Sequence, residues 1–415
     1  MIEIIGKYNK AKVLVSKIED IETSCLEQIQ KLLDQPFVEK SNIAIMPDTH
    51  AGAGCVIGFT QTIIDKVVPN LVGVDIGCGM FVVKISKNFN FDLKNLDKVW
   101  KNKIPMGMEH RTEHHEFCKY IDLSELNTPV NKEKELYALG TLGGGNHFGE
   151  LDIDENGDYY LVIHSGSRHL GKEVCQYWQN KAIEKNLYGD KSLKEQQTEL
   201  IEKLKSEHRE NEIQTEVEAF KKRMSKIIPA VPKELSYLEG EDLQDYLNDM
   251  RICQDFAYWN RRAMAEEIIN TLNIKKKYIL DMFETIHNYI DLNDMIVRKG
   301  AISLRNGTKA IIPINMSFGS LIVEGKGNED YNFSGPHGAG RIMSRAEARE
   351  KLKMEDFKSS MKDVYTTSVC VDTIDEAPMA YKTMDDIVAN IDPTAEIVKV
   401  IKPIYNYKAG EERSW

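Results

Sequence analysis

Two textures alternate along the chain. From Asn42 to about Ser86, apolar residues come in short runs broken by glycine: IAIMPD, GCVIGFTQTII, NLVGVDIG and MFVVKIS. Runs of this kind, rich in β-branched residues and bounded by turn formers, predict strands joined by tight turns. Ahead of them, residues 1–40 predict a short strand and then an amphipathic helix, since IEDIETSCLEQIQKLLDQ repeats its apolar positions at helical spacing. Residues 87–136 are mixed and polar. The strand pattern returns in LGTLGGGNHFGEL and in YYLVIHSGSRHLG, the second ending at a turn into a helix. Residues 171–273 are dense in helix formers and charge, and predict a helical insertion or arm rather than a separate catalytic unit. Glycine-rich strand text resumes in YILDMFETIHNYIDL, IVRKGAISLRNGTKAIIPI and GSLIVEGKGN, followed by a helical and irregular tail to Trp415. The organisation predicts one α+β catalytic body interrupted by helices.

Composition narrows the class. The 415 residues are 42% hydrophobic and 29% charged, as in soluble globular proteins. The start, MIEIIGKYNK, lacks the apolar core of a signal peptide, and no apolar run reaches the roughly 18 residues of a membrane span. A cytoplasmic protein is expected. Seven scattered cysteines without a CxxC pair exclude a disulfide framework and a zinc ribbon. A net charge of -11 argues against a general nucleic-acid coat, because non-specific binding draws on a broad positive surface. A local basic groove remains compatible with it.

The chemistry sits where strand-like runs meet glycine. VGVDIGCGM sets Asp75 and Cys78 three residues apart on one turn, so both can reach a metal, and a thiolate can bridge two. A tight turn around a buried cysteine reads the same way. GGGNHFGE offers Asn146, His147 and Glu150; IHSGSRHLG offers His164; TIHNYI offers His287 and Asn288. Singly, each histidine is by default a hydrogen-bonded core or turn residue. Together, Asp75, Cys78, His147, His164 and His287 make an O, S and N set sufficient for two divalent ions, without choosing among manganese, zinc, iron and cobalt. His110, His114 and His115 read as a solvated loop and His208 as helix surface. Asp48 and His50, in MPDTHAGAGCVIG, are balanced between a structural turn and a contact to the site.

GPHGAGRIMSR, from Gly335 to Arg345, holds His337 among glycines with Arg341 and Arg345 downstream. A neutral imidazole is nucleophilic near pH 7, glycines leave room for phosphate oxygens, and arginines balance their charge. The chain has no GxxxxGK[ST] phosphate loop, and GTLGGGNH lacks the strand and acidic partner of a dinucleotide fold.

MPDTHAGAGCVIG, VGVDIGCGM, GTLGGGNHF, HSGSRHLG, RKGA, GPHGAGRIMSR, EAPMAYK and KPIYNYKAG, running in order from about residue 43 to 410, together resemble the RtcB family of RNA ligases. The resemblance implies an RtcB-like body of mixed β-sheets and helices over residues 1–415, with the helical insertion at about 171–273 inside it. It implies a cytoplasmic, monomeric ligase that joins RNA 2′,3′-cyclic phosphate or 3′-phosphate ends to 5′-hydroxyl ends, with GTP, two Mn²⁺ ions and an archease-like activator. His337 would carry the guanylate, and Cys78 would bridge the ions. Asp75 and His147 would complete one ion's shell, His164 and His287 the other's. Asn146, Glu150, Asn288, Pro313, Ser317, Ser320, Gly338, Ala339, Gly340, Tyr381 and Lys408 would surround the nucleotide. Asn260, Arg261, Arg341 and Arg345 would face RNA. One departure stands out: PINMSFGS, Pro313 to Ser320, replaces the family's PGSMG-like loop, which leaves the strictness of guanine selection open.

Overall fold

The structure is a computed structural model and describes residues 2–408. Two sheets organise it. The smaller has six strands in the order Ile2–Ile5, Lys10–Val13, Ile43–His50, Ile57–Thr62, Ile296–Lys299 and Asn288–Asp291. The larger has eight. Seven run Ile279–Ile286, Gly79–Ile85, Tyr159–Ser165, Phe148–Ile153, Ala395–Lys408, Gly319–Gly325 and Lys309–Asn315, and Tyr365–Thr366 adds parallel to Ala395–Lys408.

The strand Gly79–Ile85, GMFVVKI, shows why the runs near it lack polar alternation. Phe81, Val83 and Ile85 enter one core with Trp100, Met264 and Ile268 from the helices, while Met80 and Val82 enter another with Ile311, Ile322 and Ile401. A strand covered on both faces is apolar throughout. Each such side chain contributes about 1.5–3 kcal/mol by leaving water.

The helical region divides into two kinds of element. Arg168–Tyr188 and Gly240–Thr271 are core helices: the second places Met250, Cys253 and Phe256 in the core under the smaller sheet and Met264, Ala265 and Ile268 in that of the larger. Leu193–Ser206 and Ile213–Met224 pack on each other and bury only Leu204 and Phe220, so the arm is confined to them. The tail, read as helical and irregular, also holds a strand that was not expected. It contains the helices Arg345–Lys351, Met354–Ser360 and Met384–Ile391 and then the 14-residue strand Ala395–Lys408, in the middle of the larger sheet. The stretch 409–415 lies outside the described residues.

Antiparallel register gathers the motif ends. Gly79 pairs with Ser165 and with Ile286, while His164 pairs with Met80 and with Phe148. Cys78, His147, His164 and His287 therefore stand at one end of four adjacent strands.

Candidate metal centre and nucleotide cavity

At that end, two groups of ligating atoms form, Asp75 with Cys78 and His147, and Cys78 with His164 and His287, each within 4.8 Å. Cys78 belongs to both. Its Sγ lies 3.4 Å from His147 Nε2 and 3.3 Å from His164 Nε2. His147 Nε2 is 2.8 Å from Asp75 Oδ2, and the Nε2 atoms of His164 and His287 face each other at 3.4 Å. His164 Nδ1 donates to the Asn146 carbonyl at 3.2 Å, which leaves Nε2 as a lone pair aimed inward.

Electrostatics favour a cation here. Burial and the neighbouring histidines hold His164 and His287 well below the usual imidazole range, so both are neutral donors. Burial would raise Asp75, but His147 beside it holds the carboxyl well below its ordinary value. Burial and the Asp75 charge push the Cys78 thiol well up. The Nε2 atoms of His164 and His287 can share a single N–H, or both can turn their lone pairs to a positive charge placed between them. A divalent ion satisfies both and displaces the thiol proton. The donor set fits two such ions.

Asn260 and Arg261 were expected at an RNA surface, and the structure places them elsewhere. Both are fully buried on the helix Gly240–Thr271. Asn260 accepts from the backbone amides of Gly140 and Thr141 and donates to the carbonyls of Thr141 and Gly166. Arg261 donates to the carbonyls of Gly77 at 2.7 Å and Ser165 at 2.6 Å, and pairs with Glu284 at 2.7 Å. One arginine thus ties the Cys78 turn to the His164 turn. Gly166 fits because a Cβ there would meet the Asp75 carboxylate at 2.0 Å.

His337 lies beside this centre, its ring 4.8 Å from that of His287. Its Nδ1 and backbone amide donate to Asp48 Oδ2 at 2.6 and 3.0 Å, and the Gly338 amide adds a third bond at 3.3 Å. Asp48 is fully buried and holds the His337 turn. With Nδ1–H committed to Asp48, Nε2 keeps the lone pair. Gly340, at φ 76°, permits the approach: a Cβ would strike the Asp48 carbonyl at 2.3 Å.

A cavity of about 280 Å³ opens next to His337. Of the residues that the resemblance sets around a nucleotide, Asn146, Glu150, Pro313, Gly338, Ala339, Gly340, Tyr381 and Lys408 line it. Three expected residues do not. Asn288 bridges the Asp75 carbonyl and the Gly300 amide, the Ser317 hydroxyl donates to the Ser360 carbonyl, and Ser320 is buried in the hairpin. The PINMSFGS turn is closed by Asn315 Oδ1, which accepts from the amides of Ser317 and Phe318, so Pro313 to Met316 face the cavity instead. Arg341 and Arg345 line this cavity too, rather than a separate surface. They converge with Lys408 and the Tyr381 hydroxyl on Glu376, at 3.2, 3.1, 2.8 and 2.5 Å. Burial would raise Glu376, but Lys408 and Arg345 hold it below the usual range. Glu376 and Asn406 were not expected at the cavity. Glu376 stands in the quoted motif EAPMAYK, five residues before Tyr381, where a carboxylate between basic motifs was the available signal.

The model of the family tRNA-splicing ligase RtcB matches residues 28–135 and 112–409. The chain is 30% identical to the RNA-splicing ligase RtcB of Escherichia coli K12, over 97% of this chain and 98% of that protein. It is 31% identical to RNA-splicing ligase RtcB1 of a second Escherichia coli strain, over the same shares. The tRNA-splicing ligase RtcB of Nanoarchaeum equitans is 23% identical, over 90% of this chain and 88% of that one. With a buried thiol between two imidazole groups, a carboxylate-held histidine beside it, and a match along nearly its whole length, the chain belongs to the RtcB family.

Proposed function

We propose that the protein is an RNA ligase that joins 3′-phosphate or 2′,3′-cyclic phosphate ends to 5′-hydroxyl ends, with GTP and two Mn²⁺ ions, in tRNA splicing or RNA repair. The observation that carries this reading is His337, with Nδ1 fixed on buried Asp48 and its ring in van der Waals range of the metal-type ligand His287. Its bare Nε2 is free to act as a nucleophile, and His337 belongs to neither group of ligating atoms.

His337 Nε2 attacks the α-phosphorus of GTP and pyrophosphate leaves. Water opens a 2′,3′-cyclic end at its 2′ oxygen to give the 3′-phosphate, and an RNA 3′-phosphate then takes the GMP from the histidine, restoring the imidazole. Attack by the 5′-hydroxyl forms the phosphodiester and releases GMP. Asp48 steadies the positive charge that His337 acquires. Asp75, Cys78 and His147 would hold one ion, and Cys78, His164 and His287 the other. When bound, the ions offset phosphate charge and orient the triphosphate. Lys408, Arg341 and Arg345 supply fixed positive charge around the nucleotide, and Glu150 supplies the acceptor for its base. Family membership also supports a cytoplasmic monomer that works with an archease-like activator. Among the described residues no helix is long and apolar enough to cross a membrane.

Intact mass after incubation with GTP and Mn²⁺ tests this. One added GMP on wild type and none on His337→Ala is expected. An adduct that persists in His337→Ala would sink the reading.

A further inference from the structure

Glu150 and Asp152 stand two residues apart on the strand Phe148–Ile153, so the pleat turns both side chains to one face. Glu150 forms part of the cavity wall; Asp152 lies behind it, fully buried. The pleat makes the two carboxyls neighbours inside the protein, each acting on the other. Glu150 also accepts from Asn406 Nδ2 at 2.7 Å. Among the described residues, no N–H or O–H donor reaches either oxygen of Asp152. Two ionised carboxylates cannot hydrogen-bond, so one of the pair keeps a proton. Asp152 is that one, since Glu150 has the amide of Asn406 and the charge of Lys408 to support its ionised form.

We propose that Asp152 is a positioning residue for base selection: protonated, it donates to the Glu150 carboxylate and keeps that group ionised and aimed into the cavity, where it accepts from the two adjacent N–H groups of a guanine edge. This rests on the guanine-nucleotide reading of the cavity above.

Other groups around the pair are committed elsewhere. Lys408 pairs with Glu376, and the hydroxyl of Tyr160, on the neighbouring strand, bonds Asp154. His164 and Arg345 line the same cavity. Burial pushes Asp152 well above the carboxylate range and Glu150 up to about 7, with the bond from Asp152 among the groups pulling Glu150 back. Accepting two N–H groups requires the ionised form. Guanine preference is therefore full above that pH and fades as pH falls through it. Removing the Asp152 donor leaves Glu150 protonated to higher pH.

The test measures equilibrium binding of GTP and of ITP, which lacks the exocyclic amine, at fixed Mn²⁺ from about pH 5.5 to 9. Metal and triphosphate ionisation act equally on both nucleotides and cancel in the ratio. Wild type should favour GTP by about tenfold at high pH, the worth of one charge-assisted hydrogen bond, and lose most of that at low pH. Asp152→Asn keeps an N–H donor and should keep the profile. Asp152→Leu should move its midpoint up by roughly one pH unit. A ratio flat with pH in wild type, or an unmoved midpoint in Asp152→Leu, overturns the proposal. Should Asp152→Leu fail to fold, infrared difference spectra of wild type against Asp152→Asn decide. A protonated-carboxyl stretch near neutral pH, lost in the variant, is expected, and its absence from wild type overturns the proposal. Wild type that binds neither nucleotide would sink the guanine-nucleotide reading alone, and the infrared band would still decide the shared proton.

Discussion

Asp48 has three N–H groups of the His337 turn on a single oxygen. It therefore does more than orient a ring: it selects the tautomer that leaves Nε2 bare. An amide in its place can present N–H toward Nδ1 and favour the wrong tautomer. Asp48→Asn should slow single-turnover guanylylation by roughly 100-fold or more while GTP affinity changes little. Labelled-GMP incorporation set beside equilibrium binding separates the two effects. Cys78 permits a second prediction at this scale. Because its thiol is held protonated without a cation, metal binding near pH 7.5 should release about one proton per Cys78. Calorimetry in buffers of different ionisation enthalpy reads that number, and Cys78→Ser should lose it.

At the scale of elements, Arg261 joins the helix Gly240–Thr271 to two ligand-bearing turns. Arg261→Met should leave those carbonyls and Glu284 without their donor. A loss of about 3–5 kcal/mol in stability is expected by urea titration, with metal affinity down roughly 10–100-fold. This is also where sequence reading reached its limit. The ends of strands were legible, because glycine and β-branched residues mark them, and so the five candidate ligands could be grouped before any geometry. Asn260 and Arg261 were misplaced because polarity alone does not tell a buried brace from a surface contact. Both satisfy carbonyls of loops more than 90 residues away along the chain. The strand Ala395–Lys408 was missed since Pro403 and three lysines interrupt its apolar pattern, and only its flanking strands make it a central one. Asp152 carried no motif at all; its meaning comes from the pleat and from what fails to bond to it.

For the whole molecule, stability should depend on pH and on metal. Glu376 has its folded pKa lowered by Lys408 and Arg345, despite burial. Its contribution is therefore complete above the ordinary glutamate value, about 4.3, and is lost as pH falls through the folded value. Acid unfolding curves of wild type should be steeper than those of Glu376→Gln in that window, and Glu376→Gln should be less stable near neutrality by roughly 3–5 kcal/mol. Saturating Mn²⁺, at about 100 times its Kd, should stabilise wild type by about 2.7 kcal/mol, seen as a rise in Tm that Cys78→Ala abolishes.

The place of the strand Ala395–Lys408 has a consequence for how the protein is made. It lies between Phe148–Ile153 and Gly319–Gly325, so the larger sheet exists only as two unjoined parts until residue 395 and beyond have been synthesised. Asn406 and Lys408 arrive with it, completing both the Glu150 and the Glu376 contacts in one docking event. A nascent or prematurely terminated chain that stops before this strand can hold the candidate metal ligands yet lacks the Asn406 and Lys408 side of the cavity wall. Synthesis at some 5–20 residues per second leaves the two exposed sheet edges waiting for several seconds, a window in which chaperones would find them.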